Sequence, residues 1–108
     1  KQDPHVSAVQ AAIDLAEQSA GLGNLADIEA RLQANPNDHQ ARFDLALALA
    51  AQHQEDRATD ELIEIVRRDR TWNDDGARKQ LLQFFEVWGA MDERSKAGRR
   101  KLSTVIFR

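Results

Sequence analysis

The chain has 108 residues, 42% apolar and 31% charged, a balance that suits one soluble folded domain and excludes a disordered segment. It has no cysteine, which excludes a disulfide framework, a thiol nucleophile and a cysteine zinc site. The net charge of −3 conceals an acidic body and a basic tail: residues 1–93 hold all 18 acids with nine bases, and residues 94–108 hold six bases and no acid.

Alanine, leucine, arginine, glutamate and glutamine are common while valine, threonine and aromatics are sparse, which favours helix. Five glycines and two prolines are too few for an all-β domain. No period-two pattern is present, and no apolar run approaches the ~20 residues of a membrane span. The chain begins at Lys1 without a hydrophobic signal segment, so a fragment of a longer, cytoplasmic protein is expected.

Six helices are predicted. The first covers about Pro4 to Ser19, with Asp3 as cap, Pro4 at the first helical position and an inward stripe of Val6, Val9, Ile13 and Ala16. Gly21 and Gly23 end it. The second covers Leu25 to Ala34 behind the cap Asn24, with Leu25, Ile28 and Leu32 inward. Asn35-Pro36 stops it, because a residue before proline is pushed out of helical geometry. The third covers Asp38 to Gln52, capped by Asn37. Its apolar residues fall on two faces, Ala41/Leu45/Ala48/Leu49 and Phe43/Leu47/Ala50/Ala51, which predicts the central helix. The fourth covers Asp56 to Arg68, with Ala58, Leu62, Ile65 and Val66 inward. The fifth covers Asp75 to Trp88 behind the cap Asp74, with the stripe Ala77, Leu81, Phe84, Phe85 and Trp88; Gly89 closes it. The sixth covers Glu93 to Ile106 behind Asp92. Leu102, Val105 and Ile106 are its strong apolar positions, and Gly98 is expected to interrupt it.

A shift of 36 residues lays Asn37-Asp38 on Asn73-Asp74, Ala41 on Ala77, Leu45 on Leu81 and Leu49 on Phe85. The entry Asn-Pro-Asn-Asp at 35–38, followed by Ala41, Leu45 and the small residue Ala58, resembles a tetratricopeptide repeat. The fold expected is all-α, a stack of antiparallel helix pairs: a degenerate pair at 1–34, a repeat at 35–70 and a terminal repeat at 71–108 with its C-terminal helix. An unrelated six-helix bundle is the alternative. Repeats stack because one hairpin cannot bury its own apolar face.

His5, His39 and His53 lack the spacing of a metal site. The acid pairs Glu55-Asp56, Asp74-Asp75 and Asp92-Glu93 sit at predicted helix starts, where they complement the helix dipole rather than form a catalytic dyad. Gly21-Leu22-Gly23 follows a helix, not a strand, and makes no phosphate loop. No cofactor and no metal are therefore expected. Among the aromatics, Trp72 and Phe84 are the surface candidates, because their repeat equivalents are Pro36 and Ala48. The basic run Arg94, Lys96, Arg99, Arg100 and Lys101 lacks interleaved aromatics and sits on an acidic domain, which argues against nucleic acid. A merely solvated face and a docking face for an acidic partner both stay open.

The segments NPNDHQARFDLALALA (35–50), IVRRDRTWNDDGARKQLLQFFEVWG (65–89) and GRRKLSTVIF (98–107) together resemble the C-terminal tetratricopeptide domain of bacterial thioredoxin-like co-chaperones of the YbbN (CnoX, chaperedoxin) type. Arg70, Trp72 and Lys79-Gln80 exceed the ordinary repeat consensus. The closing Arg108 departs from the family's ending. The resemblance implies a thioredoxin-like domain upstream, binding of unfolding client proteins, and transfer to the chaperonin GroEL or the DnaK system. It implies chaperonin docking through about Glu93–Arg108, which makes Arg94, Lys96, Arg99, Arg100, Lys101 and Phe107 the partner-binding candidates beside Trp72 and Phe84. The Lys/Asn carboxylate clamp of eukaryotic repeats is not visible, so capture of a free chaperone C-terminus is not expected. The function expected is a non-enzymatic protein-interaction domain. A repeat adaptor for one dedicated partner, or a substrate-presenting domain of a thiol–disulfide oxidoreductase, are the alternatives.

Overall fold

A computed structural model of the chain describes residues 9–15, 17 and 24–107. All secondary structure among them is helical: residues 9–15 and 17, then α1 (Leu25–Ala34), α2 (His39–Ala51), α3 (Glu55–Arg68), α4 (Trp72–Trp88) and α5 (Glu93–Ile106). The fold is an all-α stack of helix pairs, as the repeat pattern predicts.

Side chains at the helix starts explain the breaks. Asn24 Oδ1 accepts from the Ala26 N–H at 2.7 Å and opens α1. Asn35 leaves helical geometry before Pro36, and its Oδ1 turns the chain by accepting from the Asn37 N–H at 3.1 Å. The cap of α2 is Asp38, whose Oδ1 accepts from the Ala41 N–H at 2.9 Å; Asn37, the expected cap, belongs to the preceding turn. Helix α3 begins at Glu55, one residue earlier than expected, with Glu55 and Asp56 in its first turn and Arg67 and Arg68 in its last. Asp92 caps α5, accepting from the Arg94 N–H at 2.8 Å.

The core joins Ile28 of α1, Leu45, Leu47 and Leu49 of α2, Leu62, Ile65 and Val66 of α3, Leu81, Phe84 and Phe85 of α4, and Leu102 of α5. Each such side chain contributes roughly 1.5–3 kcal/mol when fully buried. The centre is α3, which packs against α2, α4 and α5, whereas α2 packs chiefly on α1 and α3. The two-faced apolar pattern of α2 suggested otherwise. Half of its apolar positions are alanines, which need little space, while α3 brings a narrower stripe of Leu62, Ile65 and Val66 to three neighbours.

Two further expectations change. Val9 and Ile13 are about half exposed, and Ala11 and Leu15 occupy the inward side of that helix instead. Its expected cap Asp3-Pro4, Val6, Ala16 and the closing Gly21 and Gly23 lie outside the described residues. Gly98 does not interrupt α5. It is buried within the helix, and a Cβ there would come within 2.5 Å of Phe85 Cε1. The missing side chain is what lets α5 approach α4.

Candidate protein-interaction surface

Helices α2 and α4, the first members of successive pairs, share an open pocket of about 340 Å³ lined by Phe43, Asn73, Gly76, Lys79, Gln80 and Gln83. Phe43 belongs to the outer apolar face of α2. Trp72 packs against it with the rings tilted by 51° and their centroids 5.4 Å apart, and meets His39 edge-on at 6.2 Å, so the tryptophan is half-buried between the pairs. Gln80 is buried and donates to Gln83 Oε1 at 2.7 Å. Lys79 stands at the rim, 3.4 Å from Asp74, in an exposed pair worth little in stability. Carboxamides both donate and accept, which suits a peptide main chain better than a charged ligand.

The rim of this pocket is unusual backbone. Asn73, Asp74 and Asp75 all take positive φ, at 51°, 55° and 69°. Asp74 is therefore not the expected cap; right-handed α4 starts after a left-handed turn, with Asn73 folded against Gly76. Asn and Asp adopt this conformation more readily than other residues with a side chain. Their repeat equivalents Asn37-Asp38 do not adopt it, because there Asp38 reaches the Ala41 N–H.

The basic helix α5 is largely paired within the domain. Arg94 forms a fork on Asp92, with Nε to Oδ1 at 2.8 Å and Nη2 to Oδ2 at 2.9 Å. It also reaches Glu55 of α3 at 2.9 Å and lies 5.5 Å over the Trp88 ring. The Arg94 guanidinium holds the Asp92 carboxyl down at about 2. Lys96 lies 3.6 Å from Glu93, and Lys101 Nζ donates to Asp60 of α3 at 2.6 Å. Arg99 donates to the Ala90 carbonyl and covers the Phe85 ring at 5.6 Å. Arg100 is exposed and its side chain meets no partner among the described residues; Phe107 is 82% exposed.

Phe84 is a correction. It is fully buried and stacks on Trp88 with centroids 5.1 Å apart. Its equivalent Ala48 also packs against the core, so the alanine marks a narrow slot, not an exposed one. Trp72 and the cations of α5 lie on separate elements, and the structure does not gather the candidates into one site. The pocket residues Phe43, Asn73 and Gln83 escaped the sequence reading. Their signal was the second apolar face of α2 at the spacing where α4 places its amides.

No group of three His, Asp or Glu residues among those described is placed to hold a metal ion. No described helix is long and apolar enough to cross a membrane. Comparison with curated proteins gives no match, and comparison with solved structures gives none either. A family model described as tetratricopeptide repeat matches residues 18–107. With its helix pairs, its Ala58 close contact and a match over most of its length, the chain belongs to the tetratricopeptide-repeat family, whose members generally mediate protein–protein interaction.

Proposed function

We propose that this chain is the non-enzymatic interaction domain of a thioredoxin-like co-chaperone, which holds unfolding clients and docks to a chaperonin. The observation that carries the reading is the run RRDRTWNDDGARKQLLQFF (67–85), because it builds this domain's particular surface. Trp72 joins the two pairs, and Asn73, Lys79, Gln80 and Gln83 line the pocket. A pocket rich in carboxamides, with one lysine at its rim, suits many polypeptides without selecting one side chain. The docking end is α5. Arg100 and, just past the helix, Phe107 are exposed candidates whose side chains meet no partner among the described residues, whereas the other cations make contacts there.

The test uses the purified chain with GroEL and, separately, a thermally unfolding client. The chain is expected to bind the chaperonin and suppress client aggregation. Arg100→Glu with Phe107→Ala should weaken chaperonin binding at least tenfold with unchanged circular dichroism. Absence of both activities overturns the co-chaperone reading and leaves an adaptor for a dedicated partner.

A further inference from the structure

Helix α5 lies in the groove between α3 and α4 as a ligand would. Its buried row is Ser95, Gly98 and Leu102, continued by the half-buried Val105 and Ile106, so a single large side chain is fully buried. Helices α2, α3 and α4 each bury five residues, with three large apolar ones apiece. Gly98 meets the Phe85 ring and the Thr59 methyl, and Ser95 Oγ reaches the Phe85 carbonyl at 3.4 Å. Arg94 and Lys101, seven residues apart, flank that row and meet Glu55 and Asp60 on α3. The groove thus has an aromatic floor, Phe85 and Trp88, and an acidic α3 rim. Its present occupant is a basic helix with a small residue over the ring.

We propose that the α3–α4 groove is a recognition site for basic amphipathic helices of partner proteins, and that α5 fills it in cis as a tethered pseudo-ligand. Charge complementarity selects the occupant: the acids of the rim match cations placed one heptad apart. Weak anchoring makes exchange possible. Among the described helices α5 packs chiefly on α3 and α4, and local opening needs only that interface to separate. Glycine in the middle of α5 further lowers the helix's own stability. The proposal is independent of the co-chaperone reading, since it concerns a groove that α5 covers and no chaperone.

The test is fluorescence anisotropy of a labelled peptide spanning residues 92–107, titrated with the full chain. The peptide is expected to bind the wild-type chain weakly. A chain carrying Arg94→Glu and Lys101→Glu has its own α5 loosened and its rim intact, and should bind the wild-type peptide at least tenfold more tightly. A peptide with the same two reversals should bind neither chain. If the reversed chain loses its circular dichroism, Leu102→Ala loosens α5 without changing charge and should give the same gain. Faster amide exchange in 93–106 reports that α5 has lifted. A folded, loosened chain that binds the peptide no tighter than wild type overturns the proposal. So does equal binding of the reversed peptide, or a dimer that exchanges α5 and takes up no peptide.

Discussion

Arg94 touches more of the domain than any other charged residue of α5. It forks onto the cap residue Asp92, reaches Glu55 and lies over Trp88, so the start of α5 is tied to α3 and the end of α4 by one guanidinium. The Arg94 hydrogen bonds lower the Asp92 carboxyl from the usual 3.8 to about 2. A depressed folded value means stability that is present above the unfolded value and lost as pH falls through the folded one. The start of α5 should therefore stay intact down to about pH 4 and loosen between there and pH 2. Carboxyl-carbon NMR titration should show the low midpoint in wild type and a midpoint raised toward the ordinary value in Arg94→Ala, where the backbone N–H still donates to Asp92. An ordinary midpoint in wild type would remove Arg94 as the cause. Glu64 follows a different balance: burial pushes its carboxyl up, and hydrogen bonds from Arg67 and Arg68 outweigh that and leave it low. The Asp92 cap was readable from sequence, because Asp before a helical run is a local signal. The Arg94–Glu55 pair was not, because 39 residues separate its members.

Among the elements, α4 and α5 show how little of a close contact the sequence betrays. Gly98 reads locally as a helix breaker, and its use is set by Phe85, thirteen residues earlier on another helix. Gly98→Ala would raise helix propensity by about 1 kcal/mol. Against this, its Cβ would overlap the Phe85 ring, and overpacking of this kind costs about 1–3 kcal/mol. Net destabilisation is expected in urea unfolding, and a stabilised variant would mean that the helices move apart freely. The left-handed turn at 73–75 escaped for a related reason. Asn73-Asp74 is the same dipeptide as Asn37-Asp38, and local rules read both as helix starts. Trp72, fixed between His39 and Phe43, holds the chain where the second copy cannot repeat the first.

At the scale of the molecule, one helix has structural duties to both pairs. Leu62 and Ile65 of α3 are fully buried, and α3 meets α2, α4 and α5. Leu62→Ala should cost about 2–5 kcal/mol through lost burial and a cavity. It should lower a single thermal transition seen alike by circular dichroism and tryptophan fluorescence. Two separated transitions would mean that the pairs fold independently. The helical class, the repeat offset and the core positions Leu45, Leu49, Leu62, Ile65, Leu81 and Phe85 were legible, since periodicity records which side of each helix is dry. The central role of α3 and the pocket between α2 and α4 were not, since both depend on how separate helices are set beside one another. The pairing of the tail's cations with the body's acids has one more consequence. Along the chain the charges form two blocs of opposite sign, the arrangement that draws a distant partner in. In the folded domain Arg94, Lys96 and Lys101 each lie within 4 Å of a carboxylate. Their fields largely cancel well inside the ~8 Å screening length of physiological salt. A partner arriving at α5 therefore feels Arg99 and Arg100, which face no carboxylate among the described residues, rather than the whole basic run, so steering is weaker than the sequence suggests and selection rests chiefly on shape and dissociation rate at contact.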